Sequence, residues 1–198
     1  MAIFFSISLC KNWCDKTKQE IIDYISQQKL NINNTEQNLE LLIRCEVTSL
    51  TIALNYLGYN ANKLIINNLF QKNKYSYGAN APILVKTAND YLSQINSEHK
   101  AYDISGTDFI DLLMYINDGY PVIIWENTNI AESCQSIKLA IDNELIQWYA
   151  NLRCMVLIGY TNNKYIIADP LKNGISYYDK EIFEQRYNEL KKQAIVIY

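Results

Sequence analysis

Cys45 stands in the segment Arg44-Cys45-Glu46-Val47-Thr48-Ser49, at the start of the strongest helical pattern in the chain. A thiol does nucleophilic chemistry as its thiolate. The first turn of a helix favours that anion, because its N–H groups are unpaired and the helix dipole is positive there. Upstream, Gln37 carries a neutral amide that can donate to a developing oxyanion. Towards the other end, Asp169 precedes Pro170 at the close of an apolar run. A carboxylate there can orient a group on the neighbouring strand, and the segment leading into that strand begins with Arg153. Spacing alone leaves a plainer role open for the thiol, since cysteine is among the most buried residue types.

These residues need elements to hold them. Val47, Leu50, Leu54 and Leu57 fall on one helical face, widened by Ile52 and Ala53. The pattern predicts a helix from Cys45 to Tyr56, ended by Gly58. Asn62 to Gln71 and Pro82 to Leu92 predict two more helices, with Tyr75 to Asn80 as the connecting loop. A further helix carries Phe109, Ile110, Leu113 and Ile116, capped by Thr107 or Ser105 and stopped by Asn117-Asp118-Gly119. Pro121 to Trp125 is a continuous apolar run, as a buried strand requires. Cys154 to Tyr160 and Tyr165 to Ala168, joined at Thr161-Asn162-Asn163, form a hairpin. Asp179 to Leu190 is helical and Gln193 to Tyr198 is a closing strand. Helices come first and strands cluster late. That order predicts an α+β fold, with N-terminal helices packed on a C-terminal antiparallel β-sheet. Residues 1–28 read as an extension, with an apolar strand over 1–10 and a helix over 15–26, and 31–38 as a polar loop. Residues 29–198 then form one domain, a usual size.

The composition narrows the function. Net charge is −3, and the lysines are scattered rather than striped, which argues against a nucleic-acid groove. No stretch approaches the roughly 20 apolar residues of a membrane span. The apolar start lacks a positive region and reads as a buried strand rather than a targeting segment. Five cysteines have no framework spacing, and Cys10 and Cys14 alone are too few for zinc. The single histidine, His99, cannot complete a Cys/His cluster and reads as a solvated surface residue. No metal or cofactor is expected. Mostly free thiols favour a reducing compartment, which makes a cytoplasmic location the expectation. Glu46 reads as a first-turn helix charge.

The ordered landmarks resemble the papain-like cysteine peptidases related to bacterial double-glycine leader peptidases, the bacteriocin-processing type. They are Gln37, Cys45-Glu46, Ser49-Leu50, Asn55-Tyr56-Leu57-Gly58, Tyr77-Gly78, Ala81-Pro82, Gly119, Pro121-Val122, Trp125, Arg153 to Tyr160, Asp169-Pro170 and Gln193 to Ile197. The resemblance runs from about Leu30 to Tyr198. It implies a papain-like fold, with Cys45 at the nucleophile position, Gln37 at the oxyanion-hole position and Asp169 as the orienting acid. Arg153 replaces the general-base histidine. Arg44 replaces the glycine usual before the cysteine, and Leu39 and Leu42 stand where prolines are usual. Members of the family are often exported.

Histidine serves as base because its pKa lies near the working pH. Arginine stays protonated, so it cannot shuttle a proton, although it can attract a nearby thiolate. An Arg153–Asp169 ion pair would preserve the fold in place of a His–Asp contact. The expectation is a pseudo-peptidase that binds a peptide or protein partner in the old cleft. The alternatives are an active thiol peptidase or acyl-transferase with a non-standard base, and a structural or assembly subunit.

Overall fold

The structure, a computed structural model, describes residues 45–73, 80–127, 136–141, 144–149, 152–170, 172 and 174–198. The expected strand over 1–10, helix over 15–26, loop over 31–38 and most of the Tyr75 to Asn80 loop lie outside the described residues, as do Gln37 and Arg44. The elements are α1 (Cys45–Tyr56), α2 (Lys63–Asn73), α3 (Ala81–Gln94), β1 (Ala101–Asp103), α4 (Phe109–Asn117), β2 (Val122–Asn127), β3 (Ser136–Ile141), β4 (Glu144–Tyr149), β5 (Leu152–Tyr160), β6 (Lys164–Asp169), β7 (Gly174–Asp179), α5 (Lys180–Glu189) and β8 (Ala194–Ile197).

Local chemistry sets the helix ends. Gly58 follows α1 with φ +88°, a left-handed conformation that glycine adopts without a Cβ penalty. The Asn62 side chain accepts from Leu64 N–H at 2.8 Å ahead of α2. Asn80 caps α3 by accepting from Ile83 N–H, with Pro82 in the first turn. The expected cap of α4 is corrected. Asp108 takes the N-cap position without a side-chain cap bond. Thr107 Oγ1 donates backwards to the Ile104 carbonyl at 2.6 Å, and Ser105 Oγ accepts from Ala194 N–H at 3.3 Å. Both hydroxyls tie the loop before α4 rather than the helix itself.

Among the described residues, six strands form one antiparallel sheet in the order β1-β8-β2-β5-β6-β7, and β3 pairs with β4 separately. Alternation along the strands splits the sheet into two apolar faces. Ile123, Trp125, Cys154, Val156, Ile166, Ala168, Ile195 and Ile197 face α1, α2 and α3, against Val47, Leu50, Leu54, Ile66, Leu84 and Leu92. Val122, Ile124, Met155, Leu157, Tyr165, Ile167 and Val196 meet Phe109 and Leu112 of α4 and Phe183 and Tyr187 of α5. The α+β class holds, with helices on an antiparallel sheet. The later helices cover the second face, so the sheet is the middle layer. Among the described residues no helix is long and apolar enough to cross a membrane.

Candidate functional site

The thiol lies where the start of α1 packs against β5, the strand that also carries the arginine. Cys45 opens α1 and is half-buried. The backbone N–H of Cys154 donates to Cys45 Sγ at 3.3 Å. One turn along α1, Ser49 Oγ donates to the Cys154 carbonyl at 3.0 Å. Two bonds therefore lock the start of the helix to the third residue of the strand. Position 45 at the head of α1 and position 153 near the head of β5 thus lie at neighbouring element ends.

Arg153 does not reach toward the sulfur. It alternates with Cys154, so it shares the parity of Met155 and Leu157 and lies on the α4/α5 side of the sheet. Its Nη1 donates to Asp169 Oδ2 at 2.7 Å. Asp169 has the parity of Ile167 on β6 and is fully buried, while Arg153 is 8% exposed. Tyr178 on β7 donates its hydroxyl to the same Asp169 oxygen at 3.0 Å. The expected Arg153–Asp169 ion pair is present, and a phenol adds to it. Isolated buried charges are costly, whereas a paired and hydrogen-bonded set is tolerated.

The thiol itself runs against the expectation of a lowered pKa. Burial, then the Glu46 carboxylate, push the Cys45 thiol up to about 12. The Cys154 N–H pulls the other way without reversing the result. Arg153 is not among the groups that act on the sulfur. Desolvation outweighs the helix start here. Glu46, read from the sequence as a plain helix charge, accepts the Cys45 S–H at 3.6 Å. It sits close enough to oppose a thiolate.

Glu126 escaped the sequence reading, which ended the strand at Trp125. On β2 it lies directly opposite Arg153 in the antiparallel register. It is fully buried, and among the described residues neither carboxyl oxygen has a well-formed hydrogen bond. Arg153 Nε and Trp125 Nε1 are also buried without a partner among the described residues. Burial pushes the Glu126 carboxyl well above the usual carboxylate range. The Asn127 N–H, then Arg186, lower it only in part, and Glu189 raises it. Unfolded, this carboxyl titrates in the ordinary range, about 4.3 for Glu. Its contribution to stability is therefore full below that pH and is lost as pH rises towards the folded-state titration. Glu126→Gln removes that loss. We expect the variant to gain on the parent by about 1.4 kcal/mol per pH unit between the two titrations. Urea unfolding at pH 5 and pH 8 checks it, and a pH-independent difference would contradict a buried neutral acid.

His99 also departs from its expected solvated state. It is half-buried, and its Nδ1 shares a proton with Tyr59 OH at 2.6 Å, with the rings edge to face. The turn after α1 brings Tyr59 against the loop between α3 and β1. His99 lies in that loop, outside the Cys45 constellation. Among the described residues, no group of three or more His, Cys, Asp or Glu side chains is arranged to hold a metal ion.

A thiol opening a helix that packs on an antiparallel sheet, with a buried Asp on the second hairpin strand, defines a cysteine-peptidase-like α+β scaffold. Residues 20–195 match the Peptidase_C39 like family, and the chain belongs to that family. A crystal structure of a candidate C39-like peptidase from Bacillus anthracis is similar to it, with 26% identity and a TM-score of 0.65. The match covers 78% of this chain and 88% of that one. None of the curated proteins compared with the chain matches it.

Proposed function

We propose that this chain is a C39-like pseudo-peptidase, which has lost peptide-bond hydrolysis and keeps its cleft for a peptide or protein partner. The single observation that carries the proposal is the Arg153–Asp169 bond at 2.7 Å. In the family pattern a histidine takes the place of Arg153, and Asp169 would orient it. A guanidinium held by that carboxylate cannot accept a proton from Cys45 or return one to a leaving amine. The raised pKa of the Cys45 thiol supports the same conclusion. Removing one member of a catalytic unit costs on the order of 10⁶ in kcat in a well-studied triad. No turnover is then expected at ordinary enzyme concentrations.

The test has two arms. The parent protein should leave a library of labelled peptides uncut while binding some of its members, and Cys45→Trp should abolish that binding by filling the cleft. Arg153→His should restore measurable thiol-dependent cleavage by an imidazole that Asp169 orients and that turns around the start of β5 towards Cys45. Cleavage by the parent, abolished in Cys45→Ala, would refute lost catalysis. A folded but inactive Arg153→His variant would refute the assigned geometry. A second reading draws on the 3.6 Å contact between Cys45 and Glu46: a thiol enzyme using that carboxylate as base. It requires Glu46→Gln to abolish a cleavage that the parent shows.

A further inference from the structure

Cys154 is a second thiol beside the first. It alternates with Arg153, so its side chain turns to the opposite face of the sheet, the one that carries α1. There it is fully buried in the same apolar cluster as Val47 and Leu50, with Cys45 packed against that cluster. Its backbone is fastened to α1 on both sides of its own Cα. Its N–H bonds Cys45 Sγ at 3.3 Å, and its carbonyl accepts from Ser49 at 3.0 Å. Disulfides form only where Cα atoms are close and Cβ vectors converge. A strand residue whose own amide touches the other cysteine's sulfur, and whose side chain faces the same helix, brings the two thiols into one small region.

From this juxtaposition we infer that Cys45 and Cys154 are an oxidant-responsive pair that closes to an intramolecular disulfide, with Cys45 as the attacking and Cys154 as the resolving thiol. The assignment follows exposure. Cys45 is half-buried and can meet a hydroperoxide, whereas Cys154 is sealed. Cys45 sulfur attacks a peroxide oxygen and loses its proton. A sulfenic acid forms, and the peroxide O–O bond breaks to release water or an alcohol. Cys154 sulfur then attacks Cys45 sulfur, the S–O bond breaks, and the leaving hydroxide departs as water with the Cys154 proton. Two thiols and one hydroperoxide give one disulfide, one water and one water or alcohol. The closed form has no thiol at the head of α1 and ties that helix to β5. This holds whether or not the cleft binds a peptide.

Both thiols are pushed up by burial, and Cys45 adds to the rise at Cys154. The thiolate is the reacting species, so closure is slow at neutral pH and quickens in alkali. The experiment treats the whole folded chain with excess hydrogen peroxide at about pH 9, blocks remaining thiols and maps the digest by mass spectrometry. A linked peptide joining positions 45 and 154 is expected in the parent. Cys154→Ser should lose it and accumulate Cys45 sulfenic acid, trapped by dimedone. Pairing of Cys45 with Cys10, Cys14 or Cys134 instead would overturn the inference. So would oxidation of Cys45 to sulfinic acid without a crosslink, or two thiols left reduced. The parent digest alone decides among these outcomes, so a variant that misfolds does not blunt the test.

Discussion

Asp169→Ala should destabilise the fold by about 3–5 kcal/mol, the cost of stripping one partner from a buried ion pair. The carboxylate is fully buried, and it holds two donors, the Arg153 guanidinium at 2.7 Å and the Tyr178 hydroxyl at 3.0 Å. Alanine would leave the guanidinium buried without its carboxylate, and its Nε already has no partner among the described residues. A loss of this size is a large share of a typical domain's stability of about 5–15 kcal/mol. Two comparison variants separate charge from packing. Tyr178→Phe keeps the ion pair and should cost only about 1 kcal/mol, the net worth of an ordinary hydrogen bond. An Arg153→Met, Asp169→Leu double variant removes both charges and should recover most of the loss. Chemical denaturation of the three proteins against the parent reads the series. If Asp169→Ala costs less than Tyr178→Phe, the pair is not what holds β5 to β6.

The parts of this arrangement that periodicity governs were legible in the sequence. The α1 spacing and its glycine stop predicted Cys45–Tyr56, and the apolar runs predicted β2, β5, β6 and β8 nearly at their observed limits. The Arg153–Asp169 pair was legible for another reason, since the landmarks gave the two residues complementary positions. What escaped depends on tertiary contact. β7 reads Gly-Ile-Ser-Tyr-Tyr-Asp, with half-buried residues in the middle and, among the described residues, pairing along one edge, so no clean alternation marks it. β1 is three residues long, and among the described residues β3 and β4 pair only with each other. Polar ends hid the last two residues of β2, and with them Glu126, because Glu and Asn read as the end of a strand until burial is known. The balance at Cys45 was also out of reach. A helix start argues for a lowered thiol pKa, and only the packing of β5 over the first turn shows that desolvation wins.

Alkylation of Cys45 is where that balance has its largest measurable consequence. Iodoacetamide reacts with the thiolate, so the rate at a given pH follows the thiolate fraction. An ordinary exposed cysteine titrates near 8.5, whereas this one is pushed up to about 12. Three to four pH units of difference correspond to a rate at pH 7 about 10³-fold or more below that of an unhindered thiol. The rate should then climb about tenfold per pH unit, with no plateau near pH 8 or 9. Glu46→Gln removes the carboxylate that accepts the S–H and opposes the anion, so it should raise the neutral-pH rate. Burial is the first cause of the shift and remains in that variant, so the rate should stay well short of a free thiol's. Quenched time courses followed by mass spectrometry of the peptide holding position 45 give each rate. A plateau near neutral pH in the parent would mean a stabilised thiolate. Cys45 would then be an activated nucleophile, and the case for lost catalysis would fall on Arg153 alone.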